Sequence, residues 1–518
     1  MTSEATASFN STALRVKSTL VYCKAGGAKS TLTYYKAGGV RPYSLQFRRN
    51  IMINSVIGAL GDGLYSYVLI FLLVGGGIYF TARGRGAQVA LLGEQIRCVK
   101  EKPAREGEVS SLGALIVSTA SRVGTGNIIG VSTAICLGGY GAVFWMWIIA
   151  VIGSASAFVE STLAQIYKRR GKNGDSYGGP AYYIESTLGS RGLAVTFSVL
   201  LMLTYGFGFN MLTSYNMQST LSPYGFYSPA LTPWLIGLLL AGAVFYCLIG
   251  GGDRVMKITG GLVPTMGIAY ILVAAVIVLL NIGQLGGVLR RIFTDAFSFS
   301  SVSGGVGGAA MVYGIKRGLF SNEAGVGSAP NASAAASVNH PVKQGLVQVL
   351  SVFIDTLLVC TATAFMCLCS GIEPTAELSG APYVQQSLER VLGAGGPVFI
   401  TVAMFLFGFT TLLGNLYYTT GALSHILRKP PRGKLEVLYY LAASAVIFIG
   451  AGLSADLLWG IADVTMGLMA LINMPVILYL GKYAFRALED YRRKRKAGVT
   501  PEFRSESIGL PHKVDFWN

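Results

Sequence analysis

Ser121-Arg-Val-Gly-Thr-Gly-Asn127 lies inside an apolar run, 111–137. A run of that length can cross a bilayer, which takes roughly 20 residues of helix. Gly124 and Gly126 permit the helix to unwind at its middle. Irregular backbone at membrane depth is tolerated only where it lines a cavity. Unwinding frees amide N–H groups, and the half-helix beyond the break points its positive N-terminal end into the gap. Such a gap suits a carboxylate, and the freed carbonyls suit a small cation. The same Gly-x-Gly also reads as a packing seam between close helices.

The rest of the 518-residue chain is 52% hydrophobic and 13% charged, with a mean hydropathy of +0.54. Soluble domains carry about 25% charged residues, so there is too little charge here for a polar skin. Apolar runs long enough to span occur at 63–82, 111–137, 141–167, 192–220, 231–250, 258–281, 297–320, 344–368, 397–425, 435–454 and 459–481. The expectation is an all-α membrane protein with eleven transmembrane helices. Sixty-seven glycines fit close helix approach inside a bilayer.

The net charge of +17 does not point to nucleic acid, because the basic residues sit in short clusters between apolar runs. Arg83, Arg85, Arg97 and Lys100 form one cluster, Lys168, Arg169, Arg170 and Lys172 another. Arg254/Lys257, Lys316/Arg317, Arg428/Lys429/Arg432/Lys434 and Arg492–Lys496 follow. These are alternate loops, which places the C-terminus in the cytoplasm. Arg290 and Arg291 are a partial exception. With eleven spans the N-terminus is outside, and residues 1–50 disagree, having eight basic residues and one acidic. A short repeat runs through them, Ser18-Thr-Leu-Val-Tyr-Cys-Lys-Ala-Gly-Gly27 and Ser30-Thr-Leu-Thr-Tyr-Tyr-Lys-Ala-Gly-Gly39. They read as a disordered or spurious N-terminal extension. A transmembrane domain at 60–484 and a basic cytoplasmic tail at 485–518 complete the division. The seven cysteines show no C-x-x-C spacing and read as single buried thiols. His340 and His425, near expected helix ends, read as solvated.

Two further interruptions stand out. Ser303-Gly-Gly-Val-Gly-Gly308 breaks the seventh span, five spans after the first break. Two discontinuous helices in corresponding positions of two halves point to a transporter site between inverted repeats. In Phe409-Thr-Thr-Leu-Leu-Gly-Asn415, Thr410 and Thr411 offer hard oxygen ligands to a cation, although helical Thr also back-bonds to the preceding turn. Asn415 lies one turn beyond Thr411 on the same face. Arg122, Glu160 and Asp355 are ionisable residues in or near spans. They are functional candidates by default, with a structural pair or a snorkelling end as the plainer reading for Glu160 and Asp355.

At these residues the chain resembles the alanine or glycine:cation symporter family, which has the leucine-transporter-like fold of the amino acid–polyamine–organocation superfamily. The matching strings are Ala120-Ser-Arg-Val-Gly-Thr-Gly-Asn-Ile-Ile-Gly130, Gly138-Gly-Tyr-Gly-Ala-Val-Phe-Trp-Met-Trp147 and Gly178-Gly-Pro-Ala-Tyr-Tyr-Ile184. Gly314-Ile-Lys-Arg-Gly-Leu-Phe-Ser-Asn-Glu-Ala-Gly-Val-Gly-Ser-Ala-Pro330, His340-Pro-Val-Lys-Gln-Gly345 and Phe353-Ile-Asp-Thr-Leu-Leu358 continue it. The likeness covers roughly 60–490.

The resemblance implies one extra N-terminal helix before a five-plus-five inverted-repeat core with two discontinuous helices. It implies a substrate carboxylate on the amides of Thr125 and Gly126, beside Asn127, with Gly304 and Gly305 lining the second break. It implies a Na⁺ site of the carbonyls of Ala120, Val123 and Phe407 with the hydroxyls of Thr410 and Thr411. Relatives often carry Gln on the third core helix where this chain, beside Asn210, has Thr213, and Trp where it has Asn415. Both changes leave a smaller polar group, which suggests a pocket accepting serine, glutamine or asparagine. An Arg122 built into the break could supply charge in place of a second ion.

The implied function is secondary active import of a small neutral amino acid, such as alanine or glycine, by symport with Na⁺. The setting is the inner (plasma) membrane of a bacterium. Na⁺ is the coupling ion, with no other cofactor and no obligate protein partner. The alternative is proton coupling on the same fold, with Asp355 or Glu160 titrating. A channel would need rings of carbonyls or charges along a pore. An intramembrane enzyme needs a nucleophile and a base at mid-depth; Ser328 has no mid-span His, so no catalytic residue is expected.

Overall fold

The computed structural model describes residues 56–61, 63–105, 107–171, 175–298, 308–511 and 514–517. The extension 1–50, read above as disordered or spurious, lies outside the described residues, as do Gly304 and Gly305.

Among the described residues the regular structure is helical, apart from a hairpin of two-residue strands that pairs Arg169 with Tyr177 and Arg170 with Ser176. In chain order the helices used below are α1 (Ile70–Arg83), α2 (Ser111–Arg122), α3 (Ile129–Gly138), α4 (Gly141–Ile166) and α5 (Pro180–Leu188). Then come α6 (Arg191–Ser219), α7 (Thr232–Ile249), α8 (Gly251–Leu280), α9 (Ile282–Asp295), α10 (Ala309–Asn322) and α11 (Pro330–Ala335). The chain continues with α12 (Pro341–Leu368), α13 (Ala381–Leu392), α14 (Gly395–Leu427), α15 (Lys434–Ala451) and α16 (Ala455–Lys496).

Among the described residues eight helices are long and apolar enough to cross a membrane: α4, α6, α7, α8, α12, α14, α15 and α16. The protein is therefore a multi-pass membrane protein. Leu235, Leu238, Leu239 and Tyr246 on α7, and Ile268, Leu272, Val276 and Leu279 on α8, stay exposed. A contiguous apolar surface of this size is what lipid tails cover.

Glycine sets how closely the helices pack. A Cβ on Gly314 of α10 would lie 2.4 Å from the Ala142 carbonyl oxygen of α4, and one on Gly450 of α15 would lie 2.3 Å from the Met211 Cα of α6. Without a hydrophobic drive between helices in lipid, this close packing holds them together. Helix starts are capped locally: the Ser110 hydroxyl accepts from the Gly113 amide at 3.0 Å and starts α2.

His340 and His425 are not solvated, contrary to the sequence reading; their exposures are 0% and 3%. His340 Nδ1 accepts from the Val342 amide and caps α12, while its Nε2 faces Asp490 at 3.4 Å. Burial pushes its pKa below the usual value, with Asp490 pulling the other way. His425 packs against Ser198 (3.0 Å) and Glu185 (2.8 Å). Helix-end position alone gave no sign of the elements that cover them.

Beyond α16 the chain folds back. Phe503, Ile508, Val514 and Trp517 are buried in the main core. Trp517 Nε1 donates to the Gln165 carbonyl at 2.7 Å, and the Phe516 ring lies 3.9 Å from Lys168 Nζ. Burial pushes the Lys168 amine down to about 7.

Candidate functional site

Among the described residues two helix pairs, α2/α3 and α10/α11, are separated by buried breaks. The first separates α2 from α3. After Arg122 the backbone extends through Val123 and Gly124 (φ −143°, ψ −151°) and makes a single 3-10 turn at Thr125–Asn127. The Asn127 side chain holds the turn: its Oδ1 accepts from the Gly124 amide at 2.8 Å. The amides of Asn127 and Ile128 close onto Gly124 and Thr125. Among the described residues the amides of Thr125 and Gly126 donate no hydrogen bond. Glycine is required at 124 by contact, since a Cβ there would lie 2.2 Å from Thr411 Oγ1.

A second break follows within the described residues, whereas the one expected at Ser303–Gly308 lies, but for Gly308, outside them. In the described part of that span α10 is continuous from Ala309 to Asn322, and the helix stops there, to resume as α11 at Pro330. Glu323 (φ 54°), Gly325 (φ 82°) and Gly327 (φ 94°) turn the chain through the left-handed region. Asn322 Oδ1 accepts from the Ala324 amide at 3.0 Å. The hydroxyl of Ser328 donates to Glu323 at 2.6 Å.

Each break is held by a buried carboxylate from elsewhere in the chain. Asp355, on α12, accepts from Asn127 Nδ2 (2.7 Å), Ser321 Oγ (2.8 Å) and Thr356 Oγ1 (2.7 Å). It thus ties the first break to the end of α10. Glu160, on α4, accepts from the Gly325 amide (3.4 Å) and from Asn473 Nδ2 of α16 (2.9 Å). Asn473 also donates to the Gly325 carbonyl (2.9 Å) and accepts from Tyr183 of α5. Both carboxylates are fully buried, so neither is a snorkelling end.

Arg122 is 2% exposed and donates once, through Nη1 to Gln348 Oε1 at 3.1 Å. Its Nε and Nη2 have no partner among the described residues. Its charge acts on Glu160, Glu323 and Asp355 together. Arg317, by contrast, grips both oxygens of Asp463 on α16 (3.2 and 3.3 Å) and lies 4.0 Å over the Trp459 ring. Lys316 reaches the same carboxylate at 3.0 Å.

The residues expected at the site fall into two groups around the first break. Thr411 Oγ1 donates to the Ala120 carbonyl (3.2 Å), and Thr410 Oγ1 to that of Phe407 (2.9 Å). Ala120, Val123, Phe407, Thr410 and Thr411 are all buried. Their oxygens are neutral and hard, a donor set that fits a small monovalent cation. Ser121 Oγ donates to Asn415 Oδ1 (2.7 Å), and Asn415 Nδ2 to Asn210 Oδ1 (2.9 Å), linking α2, α14 and α6. Thr213 is buried on the same helix as Asn210. Sequence reasoning missed Asn216, one turn further on, whose Nδ2 donates to Thr125 Oγ1 at 3.1 Å. It also missed Phe209, Phe320 and Trp459, whose rings meet in a tilted series (4.6 and 4.8 Å between centroids), with Phe320 against Gly126.

These elements define a multi-pass helical membrane protein with two helices broken at buried polar centres. Residues 50–505 match the sodium:alanine symporter family, and the chain belongs to it. It is 42% identical to the probable sodium/glutamine symporter GlnT of Bacillus subtilis (strain 168), over 90% of this chain and 96% of that one. The amino-acid carrier protein AlsT of the same organism is 41% identical, over 90% and 97%. The sodium/alanine symporter AgcS of Methanococcus maripaludis is 34% identical, over 85% and 98%. Membership makes the chain a Na⁺-coupled amino-acid transporter rather than an enzyme.

Proposed function

We propose that this protein imports a small neutral amino acid with a short or polar side chain, driven by Na⁺ entering with it. The observation that carries the reading is the pair of buried, undonated amides at Thr125 and Gly126, next to a cluster of neutral oxygens. A substrate carboxylate bound there takes two backbone hydrogen bonds at a helix N-terminus. Na⁺ at Ala120, Val123, Phe407, Thr410 and Thr411 joins α2 to α14. Coupling follows if that junction is tighter in one access state than in the other, because an ion shifts a conformational equilibrium only by its differential affinity. Asn210, Thr213 and Asn415, with Asn216, form the polar wall that meets the side chain. Relatives are named for alanine and for glutamine, and a polar wall fits the larger, hydrogen-bonding end of that range.

The core is read as two inverted five-helix repeats after one extra helix, giving eleven spans: the eight long helices, α1, and the two broken helices. One offset along the chain supports this. It relates Arg122 to Arg317, Asn127 to Asn322 and Glu160 to Asp355, and it superposes Ser156-Ala-Phe-Val-Glu-Ser161 on Ser351-Val-Phe-Ile-Asp-Thr356. The basic residues near Lys168 and the tail mark the cytoplasmic end, in an inner membrane.

Radiolabelled uptake into proteoliposomes under imposed Na⁺, K⁺ and proton gradients tests the reading. Na⁺-driven uptake of alanine, serine or glutamine is expected. Uptake driven only by protons would move the coupling to the three buried carboxylates, Glu160, Glu323 and Asp355. They face one guanidinium, an imbalance that favours a bound proton or cation. No uptake under any gradient would overturn both.

A further inference from the structure

The offset that relates the two breaks also shows where they differ. Asn127 and Asn322 are counterparts, as are Asp355 and Glu160. Each asparagine uses Oδ1 to hold its own break, accepting from Gly124 and from Ala324. The Asn127 Nδ2 then donates to Asp355 at 2.7 Å. Its counterpart does nothing: Asn322 Nδ2 is buried and has no partner among the described residues. Glu160, the carboxylate that would complete the mirror bond, is already against the same break, 3.4 Å from the Gly325 amide. It is held there by Asn473 of α16. A buried amide donor left unpaired is destabilising, so a conformation that pairs it has a stabilising bond in hand.

The arginines differ in the opposite sense. Arg317 grips Asp463 through both terminal nitrogens and lies over Trp459, joining α10 to α16, while Arg122 makes one hydrogen bond; the Nε of each has no partner among the described residues. In this structure one half therefore has its asparagine bonded and its arginine loose, and the other has the reverse. Two halves of like fold that rock around a central site trade local states when access switches.

Resting on the inverted-repeat reading above, we propose that Asn322 and Glu160 are positioning residues of the transport cycle. Their side chains bond to each other in the opposite access state, as Asn127 and Asp355 do in this one. Glu160 then leaves Asn473, the second break draws away from α16, and the Arg317–Asp463 contact opens. Asn127–Asp355 and Asn322–Glu160 act as alternating clasps, one made as the other is released.

Hydrogen–deuterium exchange on the full chain in lipid nanodiscs reads this directly, by following α10 and the first turns of α16. Asn322→Ala removes the Nδ2 donor that only the opposite state uses, together with the Oδ1 that holds the second break in both states. Exchange at this contact should fall at least threefold relative to wild type, and transport should slow about tenfold, with substrate binding within twofold. Asn127→Ala removes the clasp of the present state, so exchange at the same contact should rise. A purely structural role would loosen the contact in both variants. Shifts of the same sign, or no shift in Asn322→Ala, would overturn the proposal. If Asn322→Ala does not fold, Asn322→Asp keeps the Oδ1 that accepts from the Ala324 amide and removes only the Nδ2 donor; it should show the same protection, and failure to do so would equally overturn it. The exchange readout needs no transported substrate. A wild type that moves no amino acid would sink the proposed function and leave this test standing.

Discussion

The two breaks do the same job with different chemistry. At the first, the backbone is extended and no residue has positive φ; Gly124 is there because Thr411 leaves no room for a side chain. At the second, Glu323, Gly325 and Gly327 lie in the left-handed region, and glycine is there because of backbone conformation. One break is shaped by its neighbour on α14, the other by its own chain. The first should therefore move when α14 moves, which is what a site that couples ion to substrate requires. The second is a preformed turn, carried as a unit between α4 and α16.

The largest effect comes from putting a methyl group on each. Gly124→Ala drives a Cβ to 2.2 Å from Thr411 Oγ1. Overpacking of that kind costs about 3 kcal/mol or more, and transport should be lost. Thr411→Ala in the same chain should restore much of the thermal stability, since the obstacle is gone. Gly325→Ala meets the Met474 Sδ at 2.6 Å, but that is the flexible end of a side chain. Its main cost is the left-handed backbone, about 1–2 kcal/mol. Adding Met474→Ala should recover little. Equal rescue at both sites, measured as melting temperature in detergent, would erase the distinction.

The carboxylates come next. Asp355 takes three side-chain donors and touches both broken helices. Asp355→Asn turns one acceptor oxygen into a donor facing donors. Hydrogen bonds to charged groups contribute about 1.5–3 kcal/mol each, so transport should fall about 100-fold or more. Glu160→Gln loses less, because the remaining oxygen can still accept from Asn473 or Gly325, and about tenfold is expected. The reverse ranking in initial uptake rates would mean that the second break, not the first, carries the coupling.

How much of this could be read from the sequence depends on whether the signal is local. The long helices are local: the apolar runs 141–167 and 435–454 correspond to Gly141–Ile166 and Lys434–Ala451. So is the first break, two glycines inside an apolar run. The second break carried the same spacing, Ala324-Gly-Val-Gly-Ser328 beside Val123-Gly-Thr-Gly-Asn127. The string at 303–308 is richer in glycine, and Asn322-Glu323 reads like the end of a span rather than its middle. Counting apolar runs also passes over helices with one polar face, such as Ile282–Asp295 and Ala381–Leu392. Asp355 and Glu160 were visible as intramembrane charges, but their partners were not. Asn127 and Ser321 meet Asp355 from two other helices, and no spacing rule links them. Asn216 lies one turn from Thr213 on the same helix; only the direction of the side chain separates a lining residue from one that touches Thr125.

The smallest expected effect concerns the ion, and it separates the breaks most cleanly. At the first break Thr411 Oγ1 meets the Ala120 carbonyl across α14 and α2, the junction where Na⁺ is proposed to sit. At the second break Glu160, Asn473 and Gly325 are already bonded to one another. Thr411→Val keeps the shape and removes one ligand. If Na⁺ sits there, half-saturation for Na⁺ should rise about tenfold, equivalent to about 1.4 kcal/mol, with the maximal rate changed much less. Asn473→Leu disturbs the second break to a similar degree and should lower the maximal rate while leaving Na⁺ half-saturation within about twofold. The discriminating quantity is the ratio of the two parameters in each variant, because a general loss of folded protein lowers the rate in both and shifts half-saturation in neither. A large Na⁺ shift in Asn473→Leu would place an ion at the second break as well, and would make the division between an ion-binding break and a preformed turn untenable.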